Sequence, residues 1–471
     1  MSNILRLSTI ALAAAAALAG CATSGDYAAL TPAPLLPEAY GWGSAPASGG
    51  QQALPVLDAA RTSAVRQDPW WQGFGDARLN RLVEQALDVN SNLAAAGFAL
   101  RQARLQAGLA DSDLYPQASG QLAASASRRV DQGAASTRST SSNVGLSWEV
   151  DLWGRLRSQR DVKSWQALAS ADDLQATALS LVGDVCRNYW TLAYLNQSIA
   201  AGEQDLASLE RTLKLVQVQH AEGEVSLLEL REAQQSLEAQ RAAQSALLQQ
   251  RVESRNALAL LLDGRPLALA EEPQSVTQAA ALPVRAGMPA ELLARRPDLR
   301  AAERRLRAAL ASIDATARSY YPALTLTGGV GGGGTALGDV LRNPVATLGA
   351  GLTLPFLNVT QARLNTDYAG ASYLEAASSF RSTLYSALQD VDNALSARTR
   401  LQEQTAARQR SYQAAQEVAR MYEVRYRNGD VALRTWLDAQ QTLRSSELAL
   451  AQVLRDQVRN DVTLILALGG S

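Results

Sequence analysis

Two stretches of this chain, GEVSLLELREAQQ at 223–235 and GDVALRTWLDAQQ at 429–441, say nearly the same thing 206 residues apart. The same offset relates Asn92-Leu93 to Asp298-Leu299, Tyr115-Pro116 to Tyr321-Pro322, and Gly145-Leu146-Ser147 to Gly351-Leu352-Thr353. It also relates Leu262 and Gly264 to Leu468 and Gly470. Chance can match one short word, but landmarks this widely spread at one offset mean a duplicated unit. Whatever one half folds into, the other half must fold into as well.

Hydrophobic period gives the order of elements within a unit. Residues 92–113 and 298–319 carry Leu and Ala at spacings of three and four, begin at Asn or Asp suited to an N-cap, and end before Tyr-Pro, which predicts helices. Residues 143–152 alternate strictly, with Val144, Leu146, Trp148, Val150 and Leu152 on one side and Asn143, Gly145, Ser147, Glu149 and Asp151 on the other. That is a strand with one apolar face. Residues 117–127, 323–330 and 347–356 alternate more weakly, so each unit contributes two strands, joined by the polar loops VDQGAASTRSTS and GGGGTALGDVLRNP. Long helical patterns follow at 157–220 and 360–427, Gly223 and Gly429 break them, and helices at 225–262 and 431–467 run back.

Lengths then constrain the shape. In the first unit the two shorter helices, about 22 and 38 residues, stacked end to end span roughly 90 Å beside one long helix of roughly 96 Å. A tall hairpin results, with strands at one end, the Gly turn at the other, and residues 67–91, 265–295 and the C-terminus near mid-height. Four strands cannot close a barrel, and an unpaired edge in lipid is prohibitive, so the strands are either covered or completed by other chains. Two chains would give eight strands with a side-chain-filled interior, whereas three would leave a lumen. Tyr115, Trp153, Tyr320, Tyr321 and Phe356 fall at the strand ends, either as an interfacial aromatic girdle or as packing of the junction.

The N-terminus carries Arg6, the apolar run IALAAAAAL, and Leu18-Ala19-Gly20-Cys21. Residues 1–20 read as a cleaved secretory signal, and its ending resembles the bacterial lipoprotein signal, in which Cys21 is the acylated residue; an ordinary signal followed by a cysteine stays open as the alternative. Ala22 follows without the aspartate that retains bacterial lipoproteins in the inner membrane. The other cysteine, Cys186, then has no disulfide partner and reads as a small buried hydrophobe. Residues 21–66, rich in Ala, Pro, Gly and Ser, read as a lipid-anchored tether. The first unit spans 67–264 with strands within 115–153, a linker spans 265–290, and the second unit spans 291–471 with strands within 321–357.

Composition excludes several functions. Basic and acidic residues, 44 against 45, are mixed along the chain, so there is no basic stripe for nucleic acid. A mean hydropathy of −0.11 and the lack of a long apolar run exclude a membrane-spanning helix but not a β-barrel. The single histidine, His220, has no partner at metal-ligand spacing, and GGVGGGG at 328–334 lacks the Lys-Ser/Thr and following helix of a phosphate loop, so it reads as a strand end and exposed loop. No catalytic set, metal site or cofactor is expected. Glu149 and Asp151 would face the lumen at the barrel's inner mouth.

PWWQGFGDARLNRLVEQAL at 69–87, ELLARRPDLRAAERRLRAA at 291–309, YPALTLTGG at 321–329, RYRNGDVALRTWLDAQQ at 425–441 and the terminal LALGG together resemble the TolC family of outer-membrane efflux proteins. With the lipoprotein signal, the resemblance is to the NodT and OprM type that serves resistance-nodulation-division pumps. It implies an internally duplicated α+β membrane protein: a transmembrane β-barrel shared by three chains with four strands each, continuing into a long periplasmic α-helical barrel with a mixed domain at mid-height. Implied partners are two further copies of the chain, a periplasmic adaptor, an inner-membrane drug/proton antiporter and outer-membrane lipid.

The resemblance also implies an iris at the periplasmic tip, where acidic residues of the second hairpin meet on the threefold axis. Asp438 matches one such aspartate and Tyr426 a residue that tethers the closed state, while Thr435 stands where the founding member has a second aspartate. In the first hairpin Glu229 and Glu232 occupy the equivalent positions, either as an acidic tip or as a solvated helix face. Gly223, Val225, Gly429 and Val431 form the turns implied to dock the adaptor. Type I protein secretion is the main alternative to efflux, and a periplasmic adaptor or cell-wall enzyme the more distant ones; the duplicated strand pair argues against an adaptor and the missing catalytic set against an enzyme.

Overall fold

The computed structural model describes residues 63–127, 137–276, 292–335, 342 and 344–470. Cys21, the signal and most of the tether and linker lie outside the described residues. In chain order the elements are α1 (Ser63–Gln67), a 3-10 turn (Trp70–Phe74), α2 (Ala77–Val89), α3 (Ser91–Ser112), β1 (Gln117–Ser127), β2 (Thr137–Val150), α4 (Arg155–Ala221) and α5 (Leu227–Leu261). The second unit repeats the pattern as α6 (Leu292–Arg295), α7 (Pro297–Arg318), β3 (Ala323–Gly334), β4 (Val345–Thr353), α8 (Val359–Arg427) and α9 (Leu433–Ala467).

The four strands form one antiparallel sheet in the order β1-β2-β3-β4, so β1 and β4 are its two edges. Register sorts side chains by face across the whole sheet. Leu146 stands opposite Ala118 and Gly328, Trp148 opposite Leu326, and Leu324 between Val150 and Leu352, giving one apolar face. The other face carries Gln117, Ser119 and Gln121 on β1, Asn143, Ser147 and Glu149 on β2, and Thr325 and Thr327 on β3. An apolar face toward lipid and a polar face toward a lumen are what a membrane barrel wall requires. β2 begins at Thr137, earlier than the apolar alternation predicts, and GGVGGGG lies wholly within β3 rather than ending in a loop.

The helix lengths stay comparable but match less closely than predicted: α3 and α5 have 22 and 35 residues against 67 in α4, or about 86 Å against about 100 Å at 1.5 Å per residue, a gap of about 14 Å where the sequence predicts about 6 Å. Two helix starts differ from expectation. Asn90, not Asn92, caps α3, its side chain accepting the Leu93 N–H at 3.0 Å. α7 starts at Pro297 after Arg296, leaving Asp298 inside the first turn. Proline suits that position because its missing N–H would have had no partner.

The main core lies at mid-height, mostly in the first unit, with Val458, Val462 and Ile465 of α9 joining it. Trp71, Phe74, Tyr189 and Trp190 are essentially inaccessible, and Phe74 meets Trp190 edge-on at 5.6 Å. Val65 of α1 is buried in this core and Arg66 pairs with Glu84 at 2.8 Å, so the packed body begins by Ser63, before the tether's expected end at residue 66. Cys186 is buried here too, and burial pushes its thiol pKa up, which keeps it a neutral packing group. The described start of the linker is pinned by Glu272, whose fully buried carboxylate receives Arg251 at 2.8 Å and Arg255 at 3.0 Å.

Arginines of the second unit join it to the first and to itself. Buried Asp172 of α4 receives Arg300 at 3.1 Å and Arg304 at 2.7 Å from α7. Arg296 reaches Asp298 at 2.7 Å, Asp390 of α8 at 3.3 Å, and the carbonyls of Ala387 and Ala467. The ARRPD word is therefore an anchor at mid-height.

Candidate functional site

The helical ends opposite the sheet are built twice on one plan. Gly223 (φ 78°) and Gly429 (φ 80°) take the left-handed conformation that ends a helix without a Cβ penalty. The Glu224 and Asp430 N–H groups donate back to Gln219 and Arg425 at 2.8 and 2.9 Å, and those of Gly223 and Gly429 to His220 and Tyr426 at 3.1 and 2.9 Å. This paired Schellman closure satisfies otherwise orphaned carbonyls. Val225 and Val431 are half-buried just beyond the glycines, and the His220 Nδ1 lies 3.0 Å from the Val225 carbonyl, which makes the histidine part of the turn.

Beyond the turns the copies diverge. Ser226 caps α5 and its N–H donates to the Glu229 carboxylate at 3.0 Å, a full capping box. The Ser226 hydroxyl holds the Glu229 carboxyl below the usual range. At the second tip Ala432 offers no side-chain cap to α9. Glu229 thus serves the start of its own helix. Glu232 turns the other way, to Arg434 of the second hairpin at 3.1 Å. The two glutamates therefore have different partners, one at the start of its own helix and one across the hairpins.

A small core ties the hairpins together just above the tip: Leu209, Val216, Ala233 and Leu237 from the first meet Leu433, Trp436 and Leu437 from the second. Tyr426 stacks on Trp436 at 5.0 Å and 17°, and its hydroxyl donates to Gln219 of α4 at 3.2 Å. Burial, then the nearby Glu229 charge, raises the Tyr426 pKa, so it stays a neutral donor. Higher up, Arg444 of α9 lies 3.9 Å from Asp205 of α4. Burial outweighs that attraction for both: Asp205 is pushed up to about 6 and Arg444 is lowered. Burial raises the neighbouring Glu447 as well, and Tyr412 of α8 is raised by burial and by Glu447.

Asp438 is well exposed, with 69% of its side chain accessible, on a groove of about 480 Å³ between α8 and α9 that Thr435, Val418 and Tyr422 also line. It is not a free carboxylate, since Arg434 approaches it at 3.8 Å one helical turn away. Sequence reasoning missed Arg434, Gln219 and Trp436. For Arg434 the signal was present, because the duplication pairs it with Leu228, a charge replacing an apolar residue.

At the other end Glu149 sits on the polar sheet face, paired with Arg155 at 2.6 Å. Asp151 lies past the end of β2 and caps α4, accepting the Leu156 and Arg157 N–H groups at 3.0 and 3.1 Å. Trp153 packs edge-on against Tyr321 at 5.4 Å and donates to the Pro322 carbonyl, fixing these two aromatics where strand meets helix. No described helix is long and apolar enough to cross a membrane.

The sequence matches the outer membrane efflux protein family over residues 82–264 and again over 288–470. It is 32% identical over 441 residues to the pyoverdine export outer membrane protein OpmQ of Pseudomonas putida, covering 91% of this chain and 92% of the relative. It is 30% identical over 464 residues to the antibiotic efflux pump outer membrane protein ArpC of Pseudomonas putida, covering 96% and 93%. Among solved structures, the outer-membrane channel OprN matches 86% of this chain and 92% of its own, with a TM-score of 0.79 at 27% identity.

Proposed function

The chain belongs to the outer membrane efflux protein family, the outer-membrane channels of efflux pumps, and from that premise we propose that it works as a homotrimer conducting drugs or other small toxic compounds passively through a tunnel gated at its periplasmic tip. The observation that carries the trimer is the sheet: four strands, one apolar face, one polar face and two unpaired edges. Unsatisfied edge groups in lipid cost several kcal/mol each, so β4 of one copy pairs with β1 of the next until the ring closes. Three copies make twelve strands and keep the Ser, Thr, Asn and Gly face around an open lumen, which eight strands would fill. The second long helix supports the same assembly. It buries only Ala369, Ala387, Ala394, Ala415 and Ala419 within its own chain while Tyr368, Leu374 and Tyr385 stay exposed, a surface awaiting neighbouring copies.

The paired turns at Gly223-Val225 and Gly429-Val431 would receive the periplasmic adaptor that links the channel to an inner-membrane transporter. Asp438 narrows the tunnel with its charge, Thr435 leaves that ring single, and Tyr426 holds the second hairpin against the first. Cys21 would carry lipid in the outer membrane's inner leaflet; palmitate labelling of the wild type, lost in Cys21→Ser, is the expected result, and equal labelling would refute it. Mass measurement of the purified protein in mild detergent tests the assembly. A stable trimer is expected, and a stable monomer or dimer contradicts the shared barrel.

A further inference from the structure

Resting on the tip-gate reading, we propose that Arg434 is the charge-selectivity residue of the tunnel entrance, bridging the two hairpins and offsetting the carboxylates that would otherwise make the closed tip strongly cation-selective. Its guanidinium lies between Glu232 of the first hairpin, at 3.1 Å, and Asp438 of its own helix, at 3.8 Å. Duplication supplies an internal reference: the first tip has Leu228 at this position, 63% exposed. The α9 backbone therefore needs no charge there to fold, and a 71% exposed side chain contributes little to packing. What the arginine changes is the field. Glu232, Arg434 and Asp438 together carry one net negative charge per chain, and without the arginine they carry two.

The bridge also spans the junction that opening must break. Glu232 is only 15% accessible and has Arg434 as its described cationic partner, so it holds the guanidinium over the first hairpin while Asp438 waits one turn further along α9. A splayed tip would release Arg434 from Glu232 and leave it with Asp438. Selectivity and gating are thus coupled through one side chain.

Reversal potentials of the purified channel in planar bilayers under a potassium chloride gradient test the proposal. Arg434→Gln should raise the potassium-to-chloride permeability ratio by about twofold or more, the factor for unit charges about 8 Å apart in water. Arg434→Lys should keep the wild-type ratio, and Glu232→Gln and Asp438→Asn should each lower it. A merely structural arginine would not order the variants by charge. If Arg434→Gln fails to assemble, Glu232→Gln still decides, since an unchanged ratio there removes the bridge from the entrance. If Asp438→Asn shifts the ratio and Arg434→Gln does not, the arginine inference is wrong and the gate stands; if no variant shifts it, the gate at this tip falls as well.

Discussion

The first long helix, α4, buries Leu181, Val182, Val185, Tyr189, Trp190, Leu192 and many others against its own chain, whereas the second, α8, buries only alanines. They descend from one repeat and have nearly equal length, 67 and 69 residues. The difference teaches that duplication preserved the backbone and divided the labour. The first unit is the scaffold, locked by an aromatic core at mid-height. At mid-height the second unit is anchored to it through Val458, Val462 and Ile465 of α9 and through Arg300 and Arg304 on Asp172. Near the tip it is held by only a small core and a few polar links, Tyr426 to Gln219, Arg434 to Glu232 and Arg444 to Asp205. Contacts of this size are easier to break than a core, which is what the proposed gate requires.

The largest effect should come from breaking the scaffold. Trp190→Ala removes a buried ring and should cost about 3–5 kcal/mol, read as loss of folded protein in denaturant titration. Tyr385→Ala on the exposed α8 surface should leave the protomer's stability nearly unchanged and weaken only the trimer. Equal protomer destabilisation by both would erase the contrast between the helices.

Acidity should act on the upper link. Asp205 in the packed arrangement titrates near 6, above the ordinary carboxylate value of 3.8, so packing binds a proton more tightly than a splayed state does. The packed form therefore gains as pH falls through about 6, the gain is complete below about 4, and it is absent above 7. Between pH 7 and 5 the shift amounts to about tenfold, or ~1.4 kcal/mol per protomer, and bilayer conductance should fall accordingly. Asp205→Asn should flatten that dependence; an unaltered pH profile would remove Asp205 from the mechanism.

Tyr426→Phe keeps the stack on Trp436 and deletes only the bond to Gln219, a loss of about 1 kcal/mol that should raise resting conductance. The smallest effect is at the uncapped tip. Ala432→Ser supplies α9 with the cap that Ser226 gives α5, and hydrogen exchange in its first turn should slow by an amount equivalent to about 0.5 kcal/mol.

Much of this was legible in the sequence because it is periodic. The 206-residue offset, the alternation of Val144 to Val150 and the length match of the helices each report a backbone regularity. Boundaries were less legible where chemistry is local: Thr137 to Ser142 alternates in position but not in polarity, so the start of β2 is silent, and the bonds of Asp151 to the first turn of α4 have no counterpart in the strand's alternation. Pairings across hairpins, such as Glu232 with Arg434, lie 202 residues apart and depend on how the two units pack, which no local pattern encodes.

The central claim is that the second hairpin must leave the first for the tunnel to open, and a reversible lock between them tests it most directly. Gln219→Cys with Tyr426→Cys, joined by a short cleavable bis-maleimide, replaces the natural hydrogen bond by a covalent one, and buried Cys186 stays out of reach. Locked cells should lose efflux of a fluorescent dye and recover it on cleavage, while the unlinked double variant transports normally. Full efflux with the crosslink in place would contradict the account.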